Sequence, residues 1–91
     1  MRRDKLKIIL DILDICNNGA NKTKIVYQAN LNFKMANIYL EIMTNEGLLS
    51  HQDESGGKIY LTTARGKELF GDVRQIYERL DQYSIENNKE I

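Results

Sequence analysis

Ninety-one residues with no Pro and six Gly make one domain, too small to enclose a large core and inclined to helices rather than a loop-rich β design. Hydrophobic content of 42% beside 29% charged residues excludes wholesale disorder, and the run Ile8-Ile9-Leu10 is too short for a signal core or membrane span. The lone Cys16 excludes a disulfide framework and fits a reducing cytoplasm, while zero net charge excludes an unselective polycation.

Leu6, Ile9, Leu10, Leu13 and Cys16 recur at helical spacing and predict a first helix from Asp4 to Cys16. Ile8, Ile12 and Ile15 widen its apolar face, leaving polar residues only on the arc of Lys7, Asp11 and Asp14. Such a helix should touch neighbours on two sides. Asn17-Asn18-Gly19 supplies the stop, because Asn and Gly tolerate left-handed backbone. Thr23 is the expected N-cap of a short second helix through Ala29, with Ile25, Val26 and Ala29 facing inward. Asn30 closes it, Leu31 fills the corner, and Asn32 caps a third helix from Phe33 to about Glu46. Phe33, Ala36, Tyr39, Leu40 and Met43 form its expected core face, and Gly47 ends it. Two helices around so tight a turn make a helix-turn-helix, whose second member can lie in a DNA major groove.

Two short extended runs, Leu48–Gln52 and Lys58–Leu61, flank Asp53-Glu54-Ser55-Gly56-Gly57 and read as a hairpin, which after a helix-turn-helix is a wing. Thr62 or Thr63 then caps a last helix reaching about Ser84. In it Leu69, Val73, Ile76, Leu80 and Tyr83 form a heptad seam, with Phe70 and Tyr77 alongside. The far half of that seam overshoots so small a domain. A second copy is therefore expected to cover Leu69, Val73, Ile76, Tyr77, Leu80 and Tyr83; folding back over the first helix is the alternative. The fold class expected is mainly α (α+β). A winged helix-turn-helix occupies residues 1–66, a C-terminal helix for coiled-coil-like dimerisation 67–85, and a frayed tail 86–91.

Charge is unevenly placed: residues 1–40 hold seven Lys/Arg against three Asp/Glu, and residues 41–91 hold six against ten. A molecule with one anion-facing side has this asymmetry. Opposite the core face of the third helix stand Lys34, Ile38, Glu41 and Asn45, with Asn37 on the flank. Asn37 has the amide geometry to pair with adenine, Ile38 can touch a thymine methyl, and Lys34 suits phosphate. Glu41 either accepts from cytosine or repels phosphates. Lys22 and Lys24 flank the start of the second helix, where free amides and the dipole already favour an anion. Tyr27, beside Lys24, either reaches a phosphate or packs on the third helix. Asn32 at the entry of the third helix and Lys58 at the wing base complete the expected DNA-binding set. Arg2, Arg3, Lys5 and Lys7 form a basic cluster able to track a backbone.

Other groups suggest no chemistry. His51 has no Cys or carboxylate at ligand spacing, so no metal is expected. Cys16 continues an apolar face and lacks the basic, open setting a nucleophile needs. Asp11 and Asp14 read as a solvated edge, and Gly56-Gly57 belongs to a turn. No catalytic residue or cofactor is expected.

Several pieces together carry a family resemblance: KTKIVY and ANL within residues 22–31, YLEIM at 39–43, EGLL at 46–49, YLT at 60–62 and RGKELF at 65–70. In this order they resemble small archaeal winged-helix proteins over residues 3–83. They are similar in particular to the coiled-coil dimeric DNA-binding proteins of Sulfolobus, whose helices pair antiparallel. The resemblance implies a non-enzymatic, cytoplasmic, nucleoid-associated protein whose partners are double-stranded DNA and a second copy, with no membrane. Transcription regulation or chromosome organisation would be its role. The chain departs from that pattern twice. The wing tip carries Asp53 and Glu54 with only Lys58 at its base, and residues 68–91 hold three basic against six acidic side chains. Both departures fit a regulator of limited sites, or a winged-helix module for a protein partner, better than sequence-blind packaging.

Overall fold

The computed structural model describes residues 4–83. Helix α1 spans Lys5–Ile15 and runs into a single 3-10 turn at Cys16–Asn18; α2 spans Lys22–Ala29 and α3 Phe33–Asn45. Strands β1 (Leu49–Glu54) and β2 (Gly57–Thr62) form a hairpin, and α4 (Ala64–Gln82) closes the order. Tyr83 caps α4, and the expected tail at 86–91 lies outside the described residues.

Each helix starts on a side-chain oxygen that accepts a backbone N–H three residues on, satisfying a donor the helix itself leaves unpaired. Asp4 accepts from Lys7 at 2.8 Å, Asn21 from Lys24 at 2.9 Å, Asn32 from Met35 at 2.7 Å, and Thr63 Oγ1 from Gly66 at 3.0 Å. The cap of α2 is thus Asn21 and not Thr23. Its position is set by the preceding residue, since Ala20 pairs with Tyr60 through N–H to carbonyl bonds of 3.0 and 2.8 Å. That bridge holds the backbone extended up to Asn21, and the helix begins at the next residue. Gly19, at φ 94°, turns the chain out of the first helix into this bridge.

Both ends of the helix-turn-helix close the same way. Asn30 sits in the left-handed region at φ 56°, and Leu31 N–H donates to the Val26 carbonyl at 3.0 Å. Gly47, at φ 77°, does the same for α3, with Leu48 N–H on the Met43 carbonyl at 2.9 Å. These six-to-one bonds satisfy carbonyls that the helix ends would leave open.

The hairpin is antiparallel with Leu49 opposite Thr62 and Glu54 opposite Gly57. Only Ser55-Gly56 turn the chain, so the ladder is longer at the tip than the expected Leu48–Gln52 and Lys58–Leu61. Its inner end is tied to α1: the buried Thr62 hydroxyl donates to the Leu13 carbonyl at 2.7 Å.

The core gathers Leu10, Ile12, Leu13 and Cys16 from α1 and its turn, Ile25 and Ala29 from α2, Leu40 and Met43 from α3, and Leu48, Leu49 and Tyr60 from the wing. Val26, expected inward, is only half-buried. Phe33, expected in the core, is 53% exposed. The buried stripe of α3 is narrow, Ala36-Leu40-Met43, and Phe33 stands before it in the open mouth between the start of α2 and the wing base. Leu69, Phe70 and Val73 of α4 pack partly against this core. Beyond them α4 continues beside α1, where Arg74, Tyr77 and Asp81 share a groove with Lys7, Leu10, Asp11 and Asp14, and the molecule is 54 Å long but 27 by 19 Å across.

Candidate nucleic-acid interface

The helix-turn-helix presents α3 to solvent along one side. Lys34, Asn37, Ile38, Glu41 and Asn45 are all exposed. The wing flanks this side: Asn37, Leu40, Glu41, Thr44 and Asn45 share a groove with His51, Lys58 and Tyr60. A second groove joins the start of α2, through Asn21, Lys22 and Thr23, to Phe33 and to Gly57, Lys58 and Tyr60 of β2. Lys58 lines both and so stands where the outward face of α3 meets the start of α2. In the ladder it lies opposite Asp53, which offsets part of that charge.

Lys22 is the first residue of α2 and half-buried, whereas Lys24 is exposed. The Asn21 cap takes one free amide of that helix start and leaves others available, beside two ammonium groups, for an anion. Tyr27 is 81% exposed and does not pack on α3. Asn32 commits its side-chain carbonyl to the α3 cap; its NH2 is the group it can still offer a ligand. Arg2 and Arg3 lie outside the described residues, while Lys5 is exposed and Lys7 pairs with Asp11 at 3.2 Å one turn along α1. Of the candidate contacts, Lys22 of α2, Asn37 of α3 and Lys58 of β2 line the two adjoining grooves, while Lys24, Tyr27, Asn32, Lys34 and Ile38 are exposed outside them.

The seam residues divide. Leu69 and Val73 are half-buried against the core of their own chain, and Leu80 is also half-buried. Ile76, Tyr77 and Tyr83 are exposed. Helix α4 lies beside α1, and the two share a groove lined by Lys7, Leu10, Asp11 and Asp14 on one side and Phe70, Arg74, Tyr77 and Asp81 on the other, so that part of the distal half of α4 also faces its own chain.

The remaining groups are structural. The His51 ring meets Tyr60 edge-on, with centroids 5.8 Å apart and planes at 60°. Cys16 has no exposed surface, and burial pushes its thiol up to about 12, with the nearby Lys24 charge opposing. A thiol held protonated in this way is a poor nucleophile. Among the described residues no group of three or more His, Cys, Asp or Glu is placed to hold a metal ion, and no helix is long and apolar enough to cross a membrane.

One feature of α3 escapes the sequence reading. Met35 and Ile42 are exposed with Ile38, making an apolar row that the spacing of three and four residues on the outward face could have revealed.

The sequence matches a winged helix-turn-helix family model over residues 2–81. Among solved structures it is similar to Sso10a-2, a DNA-binding protein from Sulfolobus solfataricus. The two are 30% identical, with a TM-score of 0.83 over 97% of this chain and 94% of that one. F93 from STIV, a winged-helix DNA-binding protein, shares the fold at 15% identity and a TM-score of 0.67, over 87% of this chain and 95% of that one. An uncharacterised protein of Methanocaldococcus jannaschii is 27% identical over 78 residues, 85% of this chain and 76% of that protein.

Proposed function

The chain belongs to the winged helix-turn-helix family, and on that premise we propose that it binds duplex DNA as a homodimer. The observation that carries the reading is the exposed face of α3, Lys34, Asn37, Ile38 and Glu41, standing open beside Lys58 of the wing. Helix α3 enters the major groove, where Asn37 meets adenine and Ile38 a thymine methyl. Lys34 takes a phosphate at the groove edge. Lys22, Lys24 and Tyr27 hold the backbone through the start of α2, Asn32 contributes its NH2 at the entry of α3, and Lys58 reaches from the wing. These phosphate contacts position the protein and do not specify sequence. Residues 1–66 form the DNA-contacting unit. Residues 67–85 form the dimerisation helix, which pairs with a second copy through Leu69, Val73, Ile76, Tyr77, Leu80 and Tyr83.

DNA binding by the similar Sso10a-2 supports this reading. The acidic wing tip, Asp53 and Glu54, favours a regulator or chromosome-associated protein with a limited set of sites over a uniform packager. No catalytic step is part of the proposal, and a cytoplasmic, nucleoid-associated location follows from the partner.

Fluorescence anisotropy on a labelled duplex at rising salt tests it. If about six phosphates are neutralised, the logarithm of affinity falls against that of salt with a slope of about five. Lys34→Glu and Lys24→Glu should each weaken binding. Affinity untouched by both changes would displace DNA from this face. Absence of duplex affinity even at low salt would favour a module for a protein partner, the reading to which Asp53 and Glu54 also point.

A further inference from the structure

The outward surface of α3 carries two rows of different chemistry. Lys34, Asn37, Glu41 and Asn45 follow one another at spacings of three and four, and Asn37, Glu41 and Asn45 line the groove shared with the wing. Met35, Ile38 and Ile42 follow one another at the same spacings. At 3.6 residues per turn they fall on the flank of α3 away from the wing. All three stand in solvent, 37%, 42% and 53% exposed.

Two branched aliphatic side chains and a thioether in line on an outward helix face gain from burial against any apolar partner. Within a major groove the apolar group that base pairs present is the 5-methyl of thymine. From Met35 to Ile42 the helix rises about 10 Å, close to the span of about three base-pair steps. No Arg occurs in α3, and its one side chain able to reach the guanine acceptors is Lys34, which the proposed docking places on phosphate at the groove edge. Asn37, on the neighbouring row, has the amide that matches adenine. With Lys34 on phosphate, the methyl-matching row and the Asn37 amide both point to A·T pairs.

Resting on the reading that α3 enters the major groove, we infer that Met35, Ile38 and Ile42 form a methyl-contacting row that selects thymine-rich duplex. The row acts by apolar contact alone, so it responds to the 5-methyl group itself and not to the pairing edge. Glu41, in the polar row, disfavours approach to phosphate and keeps the helix centred on the bases.

The test compares two duplexes of one A·T-rich sequence, one built with thymine and one with deoxyuridine throughout. Deoxyuridine retains the pairing and the O4 acceptor and lacks only the methyl. Anisotropy with the full chain should show affinity lower for the deoxyuridine duplex by about fourfold per methyl contacted, hence about tenfold or more for two or three. An Ile38→Ala/Ile42→Ala double variant should bind the two duplexes nearly equally. A G·C-rich duplex with 5-methylcytosine, which puts a methyl at the same place in the groove, should bind the wild type more tightly than its unmethylated form. Equal wild-type affinity for thymine and deoxyuridine overturns the inference and leaves DNA binding standing. Measurable affinity for neither overturns the underlying reading and the inference together. A double variant with altered sedimenting mass and an unchanged thymine preference makes the row a contact between copies, which also overturns it.

Discussion

Replacing Gly66 with Ala should destabilise the protein, while the same change at Gly71 in the same helix should stabilise it. Helix propensity alone gives the two substitutions the same sign, a gain of about 1 kcal/mol each. At Gly71 an added Cβ meets nothing within 4 Å, so the propensity gain stands. At Gly66 the added methyl runs into the Leu48 carbonyl oxygen and lies 2.8 Å from Thr62 Cγ2 and 3.1 Å from Leu13 Cδ2. The two nearest of these neighbours are not free to retreat. The Leu48 carbonyl accepts the Thr63 N–H at 3.0 Å, the Thr62 hydroxyl holds the Leu13 carbonyl at 2.7 Å, and the Thr63 hydroxyl holds the Gly47 carbonyl at 2.6 Å. The start of α4 must shift instead, which costs about 1–3 kcal/mol as overpacking. Loosening the Thr63 cap adds about 1 kcal/mol, so after the propensity gain the net loss is about 1–3 kcal/mol. Circular-dichroism melts at one fixed protein concentration measure this, since an oligomer's midpoint depends on concentration. Each kcal/mol moves the midpoint of so small a domain by about 4–8 °C. Gly71→Ala should rise by about that much and Gly66→Ala fall by as much or more. A Gly66→Ala protein as stable as the wild type would show that α4 does not begin in close contact with Leu48.

Thr62→Val keeps the side-chain shape and deletes the buried hydroxyl that bonds Leu13, and should lower stability by about 1 kcal/mol in urea titrations; an unchanged midpoint would mean the bond contributes nothing net. For Cys16, burial raises the folded thiol to about 12 from its ordinary value of 9.0. Below that lower value both states are protonated and the contribution is complete; above it the unfolded chain releases the proton first, so stability falls by up to about 1.4 kcal/mol per pH unit until the folded thiol ionises. The stability difference between wild type and Cys16→Ala should therefore shrink as pH rises from about 8 to about 10.5, and a difference independent of pH would refute burial as the cause. Leu80→Asp puts a charge into the proposed seam, a penalty of several kcal/mol, and should convert dimer to monomer in sedimentation; an unchanged mass would remove the seam from the dimer interface.

Much of the fold is legible in the chain because the relevant interactions are local. The left-handed positions at Asn30 and Gly47 and the Asn32 cap act over one turn, and each sits where residue type places it; the apolar stripe of α1 holds at Leu10, Leu13 and Cys16, while Leu6 is 40% exposed and Ile12 is fully buried. The Gly-containing turn with extended runs on both sides likewise marks the wing. The outward polar face of α3 is a consequence of the same periodicity, so Lys34, Asn37 and Ile38 could be named without coordinates.

What the sequence could not decide depends on residues far apart in the chain. Asn21 and Thr23 both offer cap oxygens, and the choice falls to Asn21 because Tyr60 pins Ala20 in extended backbone. Phe33 is apolar by type yet 53% exposed, since it lines the open groove between the start of α2 and the wing base instead of joining the narrow buried stripe of α3. Gly66 carries no sign in its sequence context of the carbonyl of Leu48 pressed against it. Periodicity fixes which way a side chain points along its own helix; only the assembled tertiary structure, through contacts such as Thr62 to Leu13, fixes what it points at.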